Sequence, residues 1–332
     1  MPPETDRVTA DQTSIQYALR AAAARARIGQ PEALDPILEP LARLATLVRL
    51  LGSTSTGTLW PAKAGRIALT TQSATELAEI IRPQLGVDDV NPLYSLALRL
   101  PARLNTPVFS LSLPRIESMC ALFGGTPLIV LANDLEYQTL TVTARALGHL
   151  LAMASRSKGV DEAHIVLRAQ DTTRRGGPRE HFAANFALAL LVPSRGLAVA
   201  LRRVRELLKV KNRALGDIEM LYLARIFGVS LSDIARRCER AKLLPVDGAA
   251  AIVSFLTKQF GDPEKRAEAL GLPERPPVDV PTAPPTFLAS LKGHIDGGTI
   301  SKTYAAAALN LTERAFAAAL IPSASGLEGF WQ

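Results

Sequence analysis

Along most of this 332-residue chain, apolar residues recur every three or four positions; between residues 107 and 132 that spacing changes. The change of period is the strongest constraint on the fold. A 3.6-residue repeat lines one face of a helix, and a two-residue repeat lines one face of a strand. Residues 107–113, PVFSLSL, alternate, and residues 127–132, PLIVLA, form a short apolar run; both read as strands. Phe123, Gly124 and Gly125 read as the turn between them. Helical spacing is found at 12–29, 35–51, from near Ser73 to just before Pro83, 93–104, about 135–156, 180–191, and almost continuously from 197 to 270. The expected fold is α+β and mainly helical, with a small sheet built on strands near 107–113 and 127–132.

Composition agrees with this reading. Hydrophobic residues make up 48% of the chain and charged residues 21%, enough to bury a core, yet aromatics are only 5%. The core must therefore be built from Ala, Leu, Val and Ile, and Ala and Leu favour helix because they lose little freedom there. Two cysteines, Cys120 and Cys238, make neither a disulfide framework nor a four-cysteine zinc site. The first 20 residues alternate charged and polar positions without an apolar core, and no uncharged apolar run is long enough to span a bilayer. A cytoplasmic protein with no membrane partner is expected.

Local signals divide the chain. Residues 1–58 read as an N-terminal helical segment, frayed over 1–11, with Asp35 as an N-cap ahead of Pro36 and a linker at 52–58. Residues 73–195 read as a second domain. There Ser73 and Glu76 form a capping box, Asn133 or Asp134 caps the 135–156 helix, and 171–178 is a polar loop. A helical domain follows over 196–270, then a proline-rich linker over 271–285 and a C-terminal helical unit over 286–320. The tail after it shows no usable period.

The net charge of +7 is concentrated. Between residues 195 and 245 there are 12 Lys or Arg against 5 Asp or Glu, whereas the rest of the chain balances at 26 against 26. A solvated helix face explains this, and so does an acidic or nucleic-acid partner. Ala224, Gly228 and Ile234 stand where a helix-turn-helix wants a small residue, a turn glycine and a packed aliphatic; Arg225, Arg236, Arg237 and Arg240 are the candidate DNA contacts.

The segment TLTVTARALGHLLAM, residues 139–153, and the segment EHFAANFALALLVP, residues 180–193, occur in a telling order. Together they resemble the ImmA/IrrE family of zincin-like metallo-endopeptidases. That family carries H-E-L-G-H on one helix and E-x-x-A-N-x-F-A-x-x-L-L-M-P on the next. Gly148 and His149 match the end of the first motif; Arg145 and Ala146 stand in the frames of the first His and the Glu. Glu180, Ala183, Phe186, Ala187, Leu190, Leu191 and Pro193 match the second, with Ala184 and Val192 replacing Asn and Met. Looser similarity extends over about 74–245. The resemblance implies a zincin-like core whose active relatives cut transcriptional repressors.

The chemistry of such a site is demanding. Two histidines at i and i+4, with a carboxylate from a second helix, hold the zinc, and the Glu beside the first His serves as general base. Arg145 cannot ligate a metal because its guanidinium stays protonated, and Ala146 can take no proton. His149 and Glu180 remain as the possible metal ligands. No cofactor is expected, with zinc on His149 and Glu180 the exception if the site is active. Arg145, one turn before His149, is expected to pair with Glu180 and supply the missing positive charge. His164, His181 and His294 offer no second ligand set. The expectation is a pseudo-peptidase whose cleft, lined by Arg145, His149 and Glu180, binds a protein or peptide such as a transcriptional regulator, with the edge of the 107–113 strand available to pair with it. The alternatives are DNA binding through 220–245 and an active peptidase with an atypical metal site.

Overall fold

The computed structural model describes residues 4–28, 31–52, 67–123, 125–135, 138–155, 163–169, 177–212 and 214–320. Gly52, the first residue of the linker expected at 52–58, belongs to a helix, as does Pro178, the last of the loop expected at 171–178, with Gly177 as the cap of that helix; the rest of both segments, Gly124 and the tail from 321 lie outside these residues. Helices dominate, and four strands make one mixed sheet, so the architecture is α+β.

Helices α1 (Glu4–Ala26) and α2 (Pro31–Gly52) form a hairpin. The helix expected from residue 35 begins at Pro31, and Asp35 does not cap it. Its carboxylate instead receives two hydrogen bonds from Arg20, each 2.9 Å. Pro36 and Pro40 lie within α2. Helix α3 (Thr71–Gln84) is capped by Thr70, whose hydroxyl accepts from the Ser73 amide at 3.1 Å, so Ser73 is inside the helix and not its cap. Pro83 falls in the last turn, where it forfeits a single backbone bond without ending the helix earlier. Helix α4 (Leu96–Leu104) ends on Asn105 in the left-handed region.

The sheet has the order β1-β3-β2-β4, with β1 (Val108–Leu111), β2 (Ile116–Phe123), β3 (Thr126–Ala132) and β4 (Ala163–Ala169). β1 runs parallel to β3, and β2 runs antiparallel to both β3 and β4. Strands β2 and β4 carry no alternation in the sequence that marks them. All eight residues of β2 are buried, so IESMCALF has no alternation to betray it. The expected turn at 123–125 does join two strands, β2 and β3, not the two strands first identified. Helix α5 (Thr139–Ala154) packs on β2 and β3, while α1 lies against β4 and α2 against β3. α5 starts later than expected: Gln138, and neither Asn133 nor Asp134, occupies its N-cap.

Helix α6 (Pro178–Leu191) lies closest to α5. Gly148 makes this approach possible, because a β-carbon there would meet the Ala183 Cα at 2.9 Å. Two buried arginines fix the far end of α6. Arg82 donates to the carbonyl of Leu190, to Asp88 O at 2.7 Å and to Asn91 O at 2.6 Å. Arg237 donates to Val192 O at 2.7 Å and to Ser194 Oγ at 2.8 Å. These guanidiniums satisfy carbonyls that a helix end leaves without partners.

Helices α7 (Ser194–Leu208), α8 (Asp217–Phe227), α9 (Leu231–Arg240), α10 (Gly248–Phe260) and α11 (Pro263–Ala269) follow. The proline-rich stretch then runs back along the body. Arg275 holds Val229 O at 3.0 Å and Glu264 at 2.7 Å, and Thr282 O accepts the Ser110 amide at 3.3 Å. Helices α12 (Pro285–Asp296), α13 (Lys302–Ala308) and α14 (Glu313–Ala319) close the chain, with α12 and α13 resting on α2. Buried apolar residues from α1 to α14 belong to one continuous core. Among the described residues, no single helix is long and apolar enough to cross a membrane.

Candidate functional site

Four elements bring charge to one point. α5 carries Arg145 and His149 on the same face, one turn apart. α6 carries Glu180 in its first turn, where the helix dipole favours an anion. β4 contributes Arg168 and β2 contributes Glu117. Glu117 sits where the β2–β4 register slips between Ile116 and Ser118, and such a bulge re-aims a side chain.

Glu180 is the hub. His149 Nε2 lies 2.9 Å from Glu180 Oε2, and Arg168 donates to Glu180 Oε1. The same Arg168 donates through Nε to Glu117 Oε2 at 2.7 Å. The expected Arg145–Glu180 pair is only partly realised: Arg145 Nε stands 3.9 Å from Glu180 Oε1, and its Nη1 stands 3.9 Å from Glu117 Oε1. Both separations exceed hydrogen-bond range. The guanidinium that grips Glu180 is that of Arg168, which the sequence reading missed. A signal for it existed: Arg168 is the only acid or base in the apolar run HIVLRA, other than the histidine, and Glu117 is the only charge in IESMCALF.

The electrostatics follow from this geometry. Burial pushes the Glu180 carboxyl up, but the His149 hydrogen bond and charge, then Arg168 and Arg145, outweigh it and bring the pKa down to about 2. Burial pulls Arg168 down, yet Glu117 and Glu180 prevail and the net shift is upward. Arg145 shifts downward, mainly through burial and next through Arg168, with Glu117, Asp233 and Glu180 opposing. Its Nε is buried and has no hydrogen-bond partner.

Zinc, the metal implied by the resemblance, does not fit these residues. Its two remaining ligands hydrogen-bond directly to each other, and two guanidiniums stand beside the same carboxylate. A divalent ion there would have to break the first contact and face both cations. Ala146, at the general-base frame, is 3% exposed and carries no ionisable group. Among the described residues, no group of three or more His, Cys, Asp or Glu converges as a metal site.

Above Arg145 the protein opens into a cleft of about 380 Å³ between α5 and the α9–α11 helices. Glu117, Thr141, Arg145, Ser230, Asp233 and Arg236 are among its walls. Asp233 ties the two sides, accepting from Thr141 Oγ1 at 3.2 Å and from Ser230 Oγ at 2.8 Å. The edge of β1, expected to receive a peptide, is instead engaged by Thr282 at the Ser110 amide.

The four candidate DNA contacts do not form one outward stripe. α8 and α9 are joined by a short turn through Gly228, whose φ of 66° lies in the left-handed region. Arg236 and Arg240 of α9 are exposed. Arg237 is 7% exposed and committed to Val192 and Ser194, and Arg225 pairs with Glu264 at 3.0 Å. Cys120 and Cys238 are buried, and burial raises both thiols, Cys238 to about 12. Neither is poised as a nucleophile. Compared with known proteins, the sequence matches no family model and no curated protein.

Proposed function

We propose that the chain is a pseudo-peptidase of ImmA/IrrE type, which binds a protein or peptide, such as a segment of a transcriptional regulator, without cutting it. The observation that carries this reading is the direct His149–Glu180 contact at 2.9 Å, held in place by Arg168 where a zincin would seat its metal. The two residues that hydrolysis needs, a second histidine and a neighbouring glutamate, are Arg145 and Ala146 here. A cleft of about 380 Å³ opens beside Arg145 on the α9–α11 side, although neither His149 nor Glu180 is among its walls, and it offers a partner a place to dock. The family resemblance supplies the zincin-like core and the regulatory target class of this reading.

The test is incubation of the intact protein with a mixed peptide library, with and without added zinc. Mass spectrometry then reads new termini, and pull-down reads retention. A retained subset with no new termini is the expected result. Zinc-dependent cleavage that a chelator abolishes would overturn the reading.

A further inference from the structure

The hydrogen-bonding capacity of the cleft is unevenly satisfied. Each carboxylate on its walls already has a donor. Glu117 receives Arg168, and Asp233 receives Thr141 and Ser230. Glu264 receives Arg275, and Asp262 accepts the Glu264 amide at 2.9 Å. Arg168 is committed to Glu117 and Glu180, but the other two guanidiniums are another matter. Among the described residues, Arg145 makes no hydrogen bond and comes no closer than 3.9 Å to a carboxylate, and Arg236, exposed at the rim, makes no hydrogen bond or ion pair. Among the described residues, what these two cations lack is an acceptor.

We infer that the cleft binds a carboxylate, gripped by Arg145 at its floor and Arg236 at its rim. The inference rests on the peptide-binding reading above and names the chemistry recognised there. A planar carboxylate matches the guanidinium fork and can be held through two parallel bonds. Charge sets the valence of the ligand. Arg168 neutralises Glu117, and Arg225 and Arg275 neutralise Glu264, which leaves Asp233 and Asp262 against Arg145 and Arg236; one added negative charge is accommodated there, whereas a phosphate dianion would bring a second charge against those two acids. Ser230, the N-cap of α9, and Leu231 line the cleft, so the positive end of that helix adjoins the same space, although the Asp233 amide is already taken by Ser230 Oγ. The carboxylate belongs either to the C-terminus of a peptide or to an Asp or Glu side chain.

Isothermal titration of the intact chain separates the two sources. The probes are acetyl-Ala-Ala-Ala as free acid, the same peptide as its amide, acetyl-Ala-Glu-Ala amide, and inorganic phosphate. Both acids are expected to bind more tightly than the neutral amide by about tenfold, the worth of one charge-assisted pair, with the tighter acid naming the source. Arg236→Gln, an exposed change that leaves the fold intact, should erode that advantage, and Arg145→Gln should remove it. Equal binding of acid and amide, no binding of either acid, tighter binding of phosphate, or an advantage untouched in Arg236→Gln and in folded Arg145→Gln would each overturn the inference. Equal binding of acid and amide would leave the peptide-binding reading standing, and zinc-dependent cleavage would sink that reading while leaving carboxylate selectivity intact.

Discussion

Glu180 accepts from a histidine on one oxygen and an arginine on the other, so its ionisation is coupled to the stability of the fold. Its pKa falls from 4.5 to about 2, so the folded state gains stability above the higher value and loses it as pH drops through that window. Urea titrations across the window should show this loss in the native protein and much less of it in Glu180→Gln. At neutral pH the variant should be less stable by about 3 kcal/mol, because it leaves Arg168 and Arg145 to share the single anion of Glu117. A variant that keeps the native acid limb would show that the network contributes little. Arg82 is the second residue to test. Arg82→Met leaves three carbonyls without donors and should cost about 3 kcal/mol, read as a lower urea midpoint at unchanged slope. The sequence showed Arg145, His149 and Glu180 as a group because two helices present them at helical spacing. Arg168 and Glu117 come from strands buried among apolar neighbours, and nothing in a linear pattern says that two such strands pair.

At the scale of elements, the contact between α5 and α6 sets the geometry of the site. Gly148 lies against the backbone of Ala183, and a methyl group there would meet a Cα at 2.9 Å, which no side-chain rotation relieves. Gly148→Ala should therefore lower stability by about 2 kcal/mol, beyond any gain in helix propensity, and should perturb the adjacent His149. The measurement is a thermal melt together with the imidazole proton resonances of His149; a melt equal to native would show that the helices can separate at no cost. Helix positions were mostly legible, since the 3.6-residue period survives wherever one face is buried. Starts were less so. Asp35 and Ser73 have good capping chemistry, but Arg20 engages the first and Thr70 pre-empts the second. Strand β2 escaped notice because burial on both sides removes the alternation that marks a half-buried strand.

The whole molecule joins what the sequence suggested as separate pieces. The proline-rich stretch reads as a linker by composition, yet Arg275 and Thr282 fasten it to α11 and β1, and Phe287 meets the Phe109 ring edge-on at 4.9 Å. Proline disfavours helix and strand but leaves an extended chain free to pack, which composition alone does not reveal. The basic surplus over 195–245 is similarly divided, with Arg237 and Arg225 bonded inside and Arg236 and Arg240 outside. The continuous core beneath these segments holds α5, α6, β2 and β4 in register, and that register places two cations beside the Glu180 carboxylate. The central claim is that these cations occupy the electrostatic role of a metal. Its most direct test is elemental analysis of the intact protein after equilibration with excess zinc and desalting. Far less than one equivalent of zinc per chain is expected; a full equivalent, lost in His149→Ala, would contradict this role of the two cations.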